Sequence, residues 1–316
     1  MMKLRLIGLL FLAMPLQQAY AEEKGWLENS KNWVQQLWRD DAKQWLERIN
    51  FAVVNNNYKG VMVFAQGTSV ESFSVDHQMN KGQETLRLKT LSGAPKELLK
   101  KGGQFQTSAQ TDTQTNTQTK HVQFSSKLAA EQTSFSQFAN AADNKWYKVS
   151  LAEKSRVAER PVQVVDIKAE DKLRYSYRLW LDEQSGLPLR VVTLDENKAI
   201  VEQVVFTQIQ ISPSKHQEVP RANTKQKALD NPYKDIKGFK LIAKDVKGNS
   251  QHFLYSDGLS SVSLYVEPSV LKQKAQMKKD AMNGLQLSNG TTRYVALGKV
   301  PLLTLEKFLS SHSTNR

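Results

Sequence analysis

The segment between Arg160 and Ile211 constrains the fold of this chain more than any other. It contains four runs rich in Val, Ile, Thr and aromatic residues: "RPVQVVDIKAE", "RYSYRLWLDE", "LPLRVVTLDE" and "AIVEQVVFTQIQI". Turn-forming residues separate the runs at Glu170-Asp171, Gln184–Gly186 and Glu196-Asn197, roughly 12 residues apart. This spacing favours a curved antiparallel sheet over alternating strands and helices.

Upstream segments extend the predicted sheet. "YKGVMVFAQ", "VESFSVDHQ" and "ETLRLKTLSGAP" alternate apolar with polar residues between turn signals. In the hairpin that begins at Tyr175, Tyr177 and Leu179 point to one face, while Arg178 and Trp180 point to the other. The alternation predicts an apolar face but leaves open whether helices or an acyl chain cover it.

A Pro-rich, polar stretch at residues 213–232 predicts a linker between two domains of unequal size. Residues 22–212 form the large predicted domain, and residues 233–316 form a small α+β domain. Within the small domain, "QHFLYSDGLSSVSLYVEP" predicts two strands around an Asp-Gly turn. "TRYVALGKVPLLTLEKFLSS" predicts a strand, a Pro-containing turn and a helix opened by Thr304.

Residues 1–21 are typical of a secretory signal peptide, with Lys3 and Arg5 before a short apolar run and an Ala-Tyr-Ala cleavage site at its end. A Trp-rich extension at residues 22–40 follows. Helical spacing predicts two helices, at about 26–39 and 41–56. These helices either dock on the body of the protein or present Trp to a partner or lipid headgroups.

Charge and cysteine content limit the classes of function. The formal net charge is +13, and removal of Lys3 and Arg5 with the signal peptide leaves +11. Such a surplus favours anionic partners, either acidic proteins or lipid headgroups, although a soluble Lys-rich surface explains it equally. Because the chain is predicted to be exported, we expect no nucleic-acid partner. The absence of Cys excludes disulfides, thiolate zinc sites and N-terminal lipidation.

No motif indicates catalysis. The five His residues are scattered, without paired metal-ligand spacing, and neither a nucleophile elbow nor a phosphate-binding or dinucleotide-binding loop is present. We therefore predict no catalytic residue, no metal site and no cofactor, and classify the chain as a non-enzyme. The Thr- and Gln-rich tract Gln106–His121 is predicted to be a mobile loop or an exposed hairpin of little function.

Four segments carry a family resemblance. They are "WLERINFAVVNNNYKGVMVF", the long run from Arg156 to Ile209, "HFLYSDGLSSVSLYVEP" and "YVALGKVPLLTLEKF". In this order they resemble the RseB/MucB family of periplasmic regulators of the extracytoplasmic stress sigma factor, sigma-E. The resemblance implies an α+β fold. Its large domain is a curved antiparallel half-barrel like those of the carriers LolA and LolB, with helices packed on it, and a smaller α+β domain is linked to it.

The resemblance also implies a function. Family members bind the periplasmic domain of an RseA/MucA-type anti-sigma factor and shield it from site-1 proteolysis. Lipopolysaccharide or mislocalised lipoprotein, recognised through acyl chains, relieves that protection. A periplasmic lipoprotein carrier of the LolA/LolB type is the alternative, and the sequence leaves open whether the chain forms homo-oligomers.

Candidate site residues follow from the implied fold. Lipid-cavity candidates on the apolar face are Val63, Phe73, Tyr177, Leu179 and Leu189. Partner-binding candidates lie in the family-like "YSDGL" segment and are Tyr255, Asp257, Gly258 and Leu259. A tight structural turn explains that segment equally well.

Overall fold

The computed structural model describes residues 41–80, 82–101, 104–109, 135–214, 229, 231, 236–279 and 281–313. The predicted signal peptide, the predicted helix at 26–39, most of the Thr- and Gln-rich tract and most of the linker lie outside these residues.

The first described element is helix α1, residues 41–55. Its fully buried residues Ala42, Leu46, Ile49 and Ala52 recur at intervals of three or four, which is the period of one helix face. The side-chain amide of Asn56 donates to the Ala52 carbonyl at 2.8 Å and satisfies one of the last carbonyls of the helix. The prediction of a helix at 41–56 is confirmed.

Ten antiparallel strands form the larger sheet. They are β1 Asn56–Gln66, β2 Ser69–Asn80, β3 Gln83–Thr90, β4 Lys96–Lys101, β5 Gln104–Ala109, β6 Tyr147–Val157, β7 Arg160–Ala169, β8 Ser176–Asp182, β9 Pro188–Leu194 and β10 Ile200–Pro213. Their order is β5-β4-β3-β2-β1-β10-β9-β8-β7-β6, so the sheet stays open at β5 and β6. The predicted turns at Glu170-Asp171, Gln184–Gly186 and Glu196-Asn197 separate β7 from β8, β8 from β9 and β9 from β10, as expected.

The sheet is irregular where its first and last strands meet. The register between β1 and β10 shifts between Val61 and Met62. A Cβ atom on the adjacent Gly60 would lie 2.1 Å from the Gln208 carbonyl oxygen, so only glycine permits this close approach. Such irregularities bend a strand and increase its twist, which curves the sheet around one face.

One face of the larger sheet forms the main hydrophobic core. α1 and a 3-10 helix, Phe135–Asp143, contribute to this core together with the inward side chains of the strands. The helices therefore cover at least part of the apolar face that the alternation predicted.

The second sheet has six antiparallel strands. They are β11 Lys240–Lys247, β12 Ser250–Ser256, β13 Ser261–Pro268, β14 Lys272–Lys279, β15 Met282–Asn289 and β16 Thr292–Gly298, in the order β11-β12-β13-β16-β15-β14. Helix α2, Leu302–Ser313, packs on this sheet through Leu305, Phe308 and Leu309. The predicted pair of strands around an Asp-Gly turn is confirmed as β12 and β13.

The start of α2 differs from the prediction. The helix begins at Leu302, directly after Pro301, and not at Thr304. The Thr304 side chain does not cap the helix, because its hydroxyl donates to the Leu173 carbonyl at 2.7 Å, in the larger unit. The predicted fold class is confirmed: an open curved antiparallel sheet with helices packed on it, followed by a smaller α+β unit.

Candidate functional site

Four of the five lipid-cavity candidates lie together on the inner face of the larger sheet. Phe73, Tyr177, Leu179 and Leu189 are all buried in its core. Phe138 of the 3-10 helix packs edge-on against Tyr177, with ring centroids 5.2 Å apart. The inner face is therefore apolar and is packed against helices.

Val63 lies apart from the other four. It is half-buried, and its neighbour Met62 is the residue that enters the core. Val63 pairs with Val205, which pairs in turn with Arg190, and the Arg190 guanidinium stacks over Trp180 at 4.4 Å. This row occupies the outer face. Burial lowers the pKa of Arg190.

The second sheet meets the first through a short turn between β12 and β13. Asp257 Oδ1 accepts hydrogen bonds from the backbone N–H groups of Leu259 at 3.0 Å and Ser260 at 2.7 Å. Gly258 has φ +100°, a conformation that L side chains rarely adopt. The side chain of Asp257 thus shapes the turn, and glycine permits it.

The second oxygen of Asp257 reaches the larger sheet unit. Oδ2 accepts from Nε of Arg174 at 2.6 Å and from the hydroxyl of Tyr147 at 3.1 Å. The side chains of Arg174 and Asp257 are both 0% exposed. A buried ion pair is tolerated only when additional hydrogen bonds satisfy both charges, and this site supplies them.

Arg174 is held on every side. Its Nη1 donates to Asp171 at 2.7 Å and its Nη2 donates to the Lys237 carbonyl. Trp146 and Phe239 lie 4.9 and 4.8 Å from the guanidinium carbon, so each presents a ring face to the cation. Trp146 comes from the larger unit and Phe239 from the smaller one, which makes Arg174 a shared core residue.

Further hydrogen bonds surround this ion pair. Asn140 donates to the Gly258 carbonyl at 3.0 Å, and Asn144 donates to the Asp257 carbonyl at 2.7 Å. Leu259 is buried in the core of the larger sheet. We call this contact region the joint; its principal residues are Asn140, Asn144, Trp146, Tyr147, Arg174, Phe239, Asp257, Gly258, Leu259 and Ser260.

A second polar contact joins the units beside the inner face. Glu202 on β10 is buried, accepts from the amide of Gln66 at 3.2 Å, and accepts from Nζ of Lys299 at 2.8 Å. Lys299 belongs to the connection between β16 and α2. The inner face thus ends at polar contacts with the smaller unit.

Burial keeps the tyrosines of the joint protonated. The pKa of Tyr147 is raised well above its ordinary value by burial and by the nearby Asp257 carboxylate. Burial likewise raises the pKa of Tyr177, whose hydroxyl lies 3.2 Å from the Ser260 hydroxyl. Both remain neutral hydrogen-bonding groups at physiological pH.

The structure also places the four partner-binding candidates. Asp257, Gly258 and Leu259 lie in the joint, while Tyr255 lies in the core of the smaller unit. Sequence reasoning missed Arg174, Tyr147 and the two asparagines. Arg174 is 83 residues from Asp257, so neither strand periodicity nor turn chemistry could have paired them.

No group of three or more His, Cys, Asp or Glu residues that could hold a metal ion occurs in the described part of the chain. Among the same residues, no helix is long and apolar enough to cross a membrane. The fold and the joint define a class of two-unit, β-rich protein in which an open curved sheet is docked onto a smaller sheet.

Comparisons with known proteins identify the family within this class. Residues 41–228 match the model of the MucB/RseB N-terminal domain, and residues 231–313 match that of the MucB/RseB C-terminal domain. The chain therefore belongs to the MucB/RseB family.

Individual relatives align over most of their length. The sigma factor AlgU regulatory protein MucB of Pseudomonas aeruginosa is 26% identical over 292 residues, which cover 84% of this chain and 89% of MucB. The sigma-E factor regulatory protein RseB of Escherichia coli K12 is 23% identical, with coverages of 83% and 87%. A crystal structure of MucB in complex with MucA(peri) gives a TM-score of 0.63 at 25% identity, covering 84% of this chain and 96% of that chain.

Proposed function

We propose that this chain is a periplasmic regulator that binds the periplasmic domain of an RseA/MucA-type anti-sigma factor and so restrains the extracytoplasmic stress sigma factor. The observation that carries the proposal is the match of both units, in order, to MucB, whose structure is known in complex with MucA(peri). The signal-peptide pattern of residues 1–21 supports a periplasmic location.

Binding protects the anti-sigma factor from site-1 proteolysis, and lipopolysaccharide or mislocalised lipoprotein releases it. The apolar inner face bearing Phe73, Tyr177, Leu179 and Leu189 supports acyl-chain binding, since it offers apolar surface beneath α1 and the 3-10 helix. The binding of lipid and the binding of the partner are thermodynamically linked. A lipid that favours one arrangement of the two units lowers the affinity for a partner that binds another arrangement.

The "YSDGL" candidates act through the position of the smaller unit. Asp257, Gly258 and Leu259 are occupied by contacts within the chain, so their contribution to partner binding is to hold the second sheet in place. A partner that contacts both units requires that placement.

The test mixes the chain lacking residues 1–21 with the periplasmic domain of the anti-sigma factor from the same organism. Calorimetry should detect binding below micromolar concentration, and added lipopolysaccharide should weaken it. In a second assay, the bound anti-sigma factor should resist the site-1 protease until lipid is added. Absence of binding at micromolar concentrations overturns the proposal that the chain is a regulator. Extraction of acylated protein from membranes under those conditions favours the lipoprotein carrier.

The lipid surface is tested by two photo-crosslinking variants. Benzoylphenylalanine at position 73 places the probe on the inner face. The same group at Val63, on the adjacent strand and paired with Ser72, places it on the outer face. Lipopolysaccharide should crosslink at position 73 and not at position 63. Equal crosslinking at both positions contradicts an inner-face lipid site.

A further inference from the structure

The end of the smaller sheet that lies away from the joint carries an unusual set of exposed residues. The register places Lys272 opposite Asn289 and Glu267 opposite Arg293, so three strand connections meet at this end. The connections comprise residues 247–250, 269–271 and 289–291, and we call them the distal tip. The Asp257 turn and Lys299 both lie at the other end of the sheet, away from the distal tip.

The distal tip displays two aliphatic side chains. Val270 is 92% exposed and Leu271 is 66% exposed. The connection that carries them is held by hydrogen bonds: Ser269 N–H donates to the Thr291 carbonyl at 3.0 Å, and the Ser288 hydroxyl donates to the Leu271 carbonyl. The aliphatic pair is thus held outward by its own backbone contacts.

Cationic side chains follow the aliphatic pair directly. Lys272 and Lys274 are exposed on β14, which is an edge strand. Within the described residues, neither lysine has a carboxylate within ion-pair distance. Lysines on an edge strand discourage pairing with other strands, but that role does not explain why valine and leucine protrude beside them.

We propose that the distal tip docks on the surface of an anionic phospholipid bilayer. A protruding turn buries little area against a folded protein, for which stable interfaces need about 800 Å² on each partner. A bilayer, by contrast, surrounds a protruding turn on all sides. Val270 and Leu271 enter the boundary between headgroups and acyl chains, while Lys272 and Lys274 lie among the phosphates.

The charge of the smaller unit favours the same partner. Residues 236–313 contain eleven Lys and Arg residues against five Asp and Glu. Docking through the distal tip leaves the joint and the larger sheet away from the bilayer, because they lie at the other end of the strands. This contact differs in place and in chemistry from an acyl chain on the inner face.

The test measures sedimentation of the chain lacking residues 1–21 with phosphatidylcholine vesicles that contain or lack phosphatidylglycerol. The parent chain should bind the anionic vesicles. Val270→Ser/Leu271→Ser and Lys272→Gln/Lys274→Gln should each lower the partition coefficient by roughly tenfold. Raised salt should weaken vesicle binding by the parent chain more than vesicle binding by the lysine variant.

Matched controls come from the larger unit. Val70→Ser/Leu91→Ser removes aliphatic side chains that are 67% and 53% exposed, and Lys148→Gln/Lys168→Gln removes two exposed charges from a cross-strand pair. Both controls should bind like the parent. Failure of the parent to bind, or wild-type binding by both tip variants, overturns the proposal; the latter result assigns binding to another surface such as residues 22–40.

A positional readout uses the absence of cysteine in the chain. A polarity-sensitive fluorophore attached to Val270→Cys should shift to the blue on anionic vesicles, whereas the same label on Ile200→Cys, in the larger unit, should not. A shift at position 200 alone contradicts docking by the distal tip.

Discussion

Among single side chains, Arg174 does the most to unite the two units. It is fully buried, bonded to carboxylates from both units and enclosed by two aromatic rings. Its buried charge is compensated by Asp257 and Asp171, and Arg174 in turn compensates the buried charge of Asp257. The two residues therefore depend on each other for stability.

We expect Arg174→Met to lower the free energy of unfolding by about 3–5 kcal/mol, because it leaves the Asp257 carboxylate buried without its cation. Arg174→Met/Asp257→Asn should lose less than the sum of the two single variants. Urea unfolding checks both expectations. As a control, Lys43→Met removes the exposed pair with Asp143 and should cost about 1 kcal/mol or less. Additive losses in the double variant would contradict coupling of the buried pair.

Two glycines with positive φ separate backbone strain from lack of space. A Cβ on Gly238 would lie 2.1 Å from Nε1 of Trp146 and 2.5 Å from Nη2 of Arg174, whereas a Cβ on Gly248 meets nothing within 4 Å. Gly248→Ala should therefore cost only the backbone strain, about 1–2 kcal/mol. Gly238→Ala should cost clearly more, because it also displaces Arg174. Thermal unfolding of the two variants checks this, and equal losses would show that the joint yields easily.

Among the elements, α2 contains a buried titratable group. The Nδ1 of His312 lies 2.8 Å from the Phe308 carbonyl, which can only accept, so Nδ1 carries the proton. Nε2 is then the acceptor for the Tyr255 hydroxyl at 2.9 Å. Burial lowers the pKa of His312 to about 4, against the opposing effect of the Phe308 carbonyl.

The pKa of His312 sets a pH dependence of stability. Because the folded pKa lies below the ordinary value of about 6.5, the unfolded chain binds more protons between these values. The contribution of His312 to stability should be fully present above about pH 6.5 and should be lost progressively as the pH drops toward about 4. Urea midpoints at pH 7.5 and 5.0 measure the loss. His312→Gln should show a smaller difference between the two pH values, and an unchanged difference would exclude His312 as a contributor.

Most of the regular elements could be predicted from the sequence because their signals are local. Alternation fixes which residues of β8 face inward, and Ala42, Leu46 and Ile49 mark the buried side of α1. The predicted start of α2 is wrong because Thr304 has the side chain of a typical N-cap, whereas its hydroxyl donates to a carbonyl 131 residues away. The sequence places Val63 with Phe73 because both are apolar strand residues, and only the register shows that they lie on opposite faces of the sheet.

Considering the whole molecule, the joint could not be predicted. It assembles side chains from the 3-10 helix, from the start of β6, from the turn between β7 and β8, from the residue before β11 and from the turn after β12. Each local sequence is explained by its own turn chemistry, so nothing in it signals a distant partner. The family resemblance implied two domains but not the contacts between them.

The joint predicts a fixed arrangement of the two units when no ligand is bound. Spin labels on Ile200→Cys and Val246→Cys, both exposed and on different units, should give one narrow distance distribution. Arg174→Met should broaden it, since the ion pair and both ring contacts are lost. A broad distribution in the chain with an intact joint would contradict this expectation.

The joint also bears on the fate of incomplete chains. The ribosome completes the larger sheet before it reaches Asp257, so a product that ends early keeps Arg174 with Asp171 as its remaining carboxylate partner and lacks Leu259 in its core. Such a fragment exposes the apolar surface that Leu259 covers and leaves Arg174 without one of its two carboxylate partners. The larger unit therefore reaches its full stability only after the smaller unit has been synthesised and has docked on it.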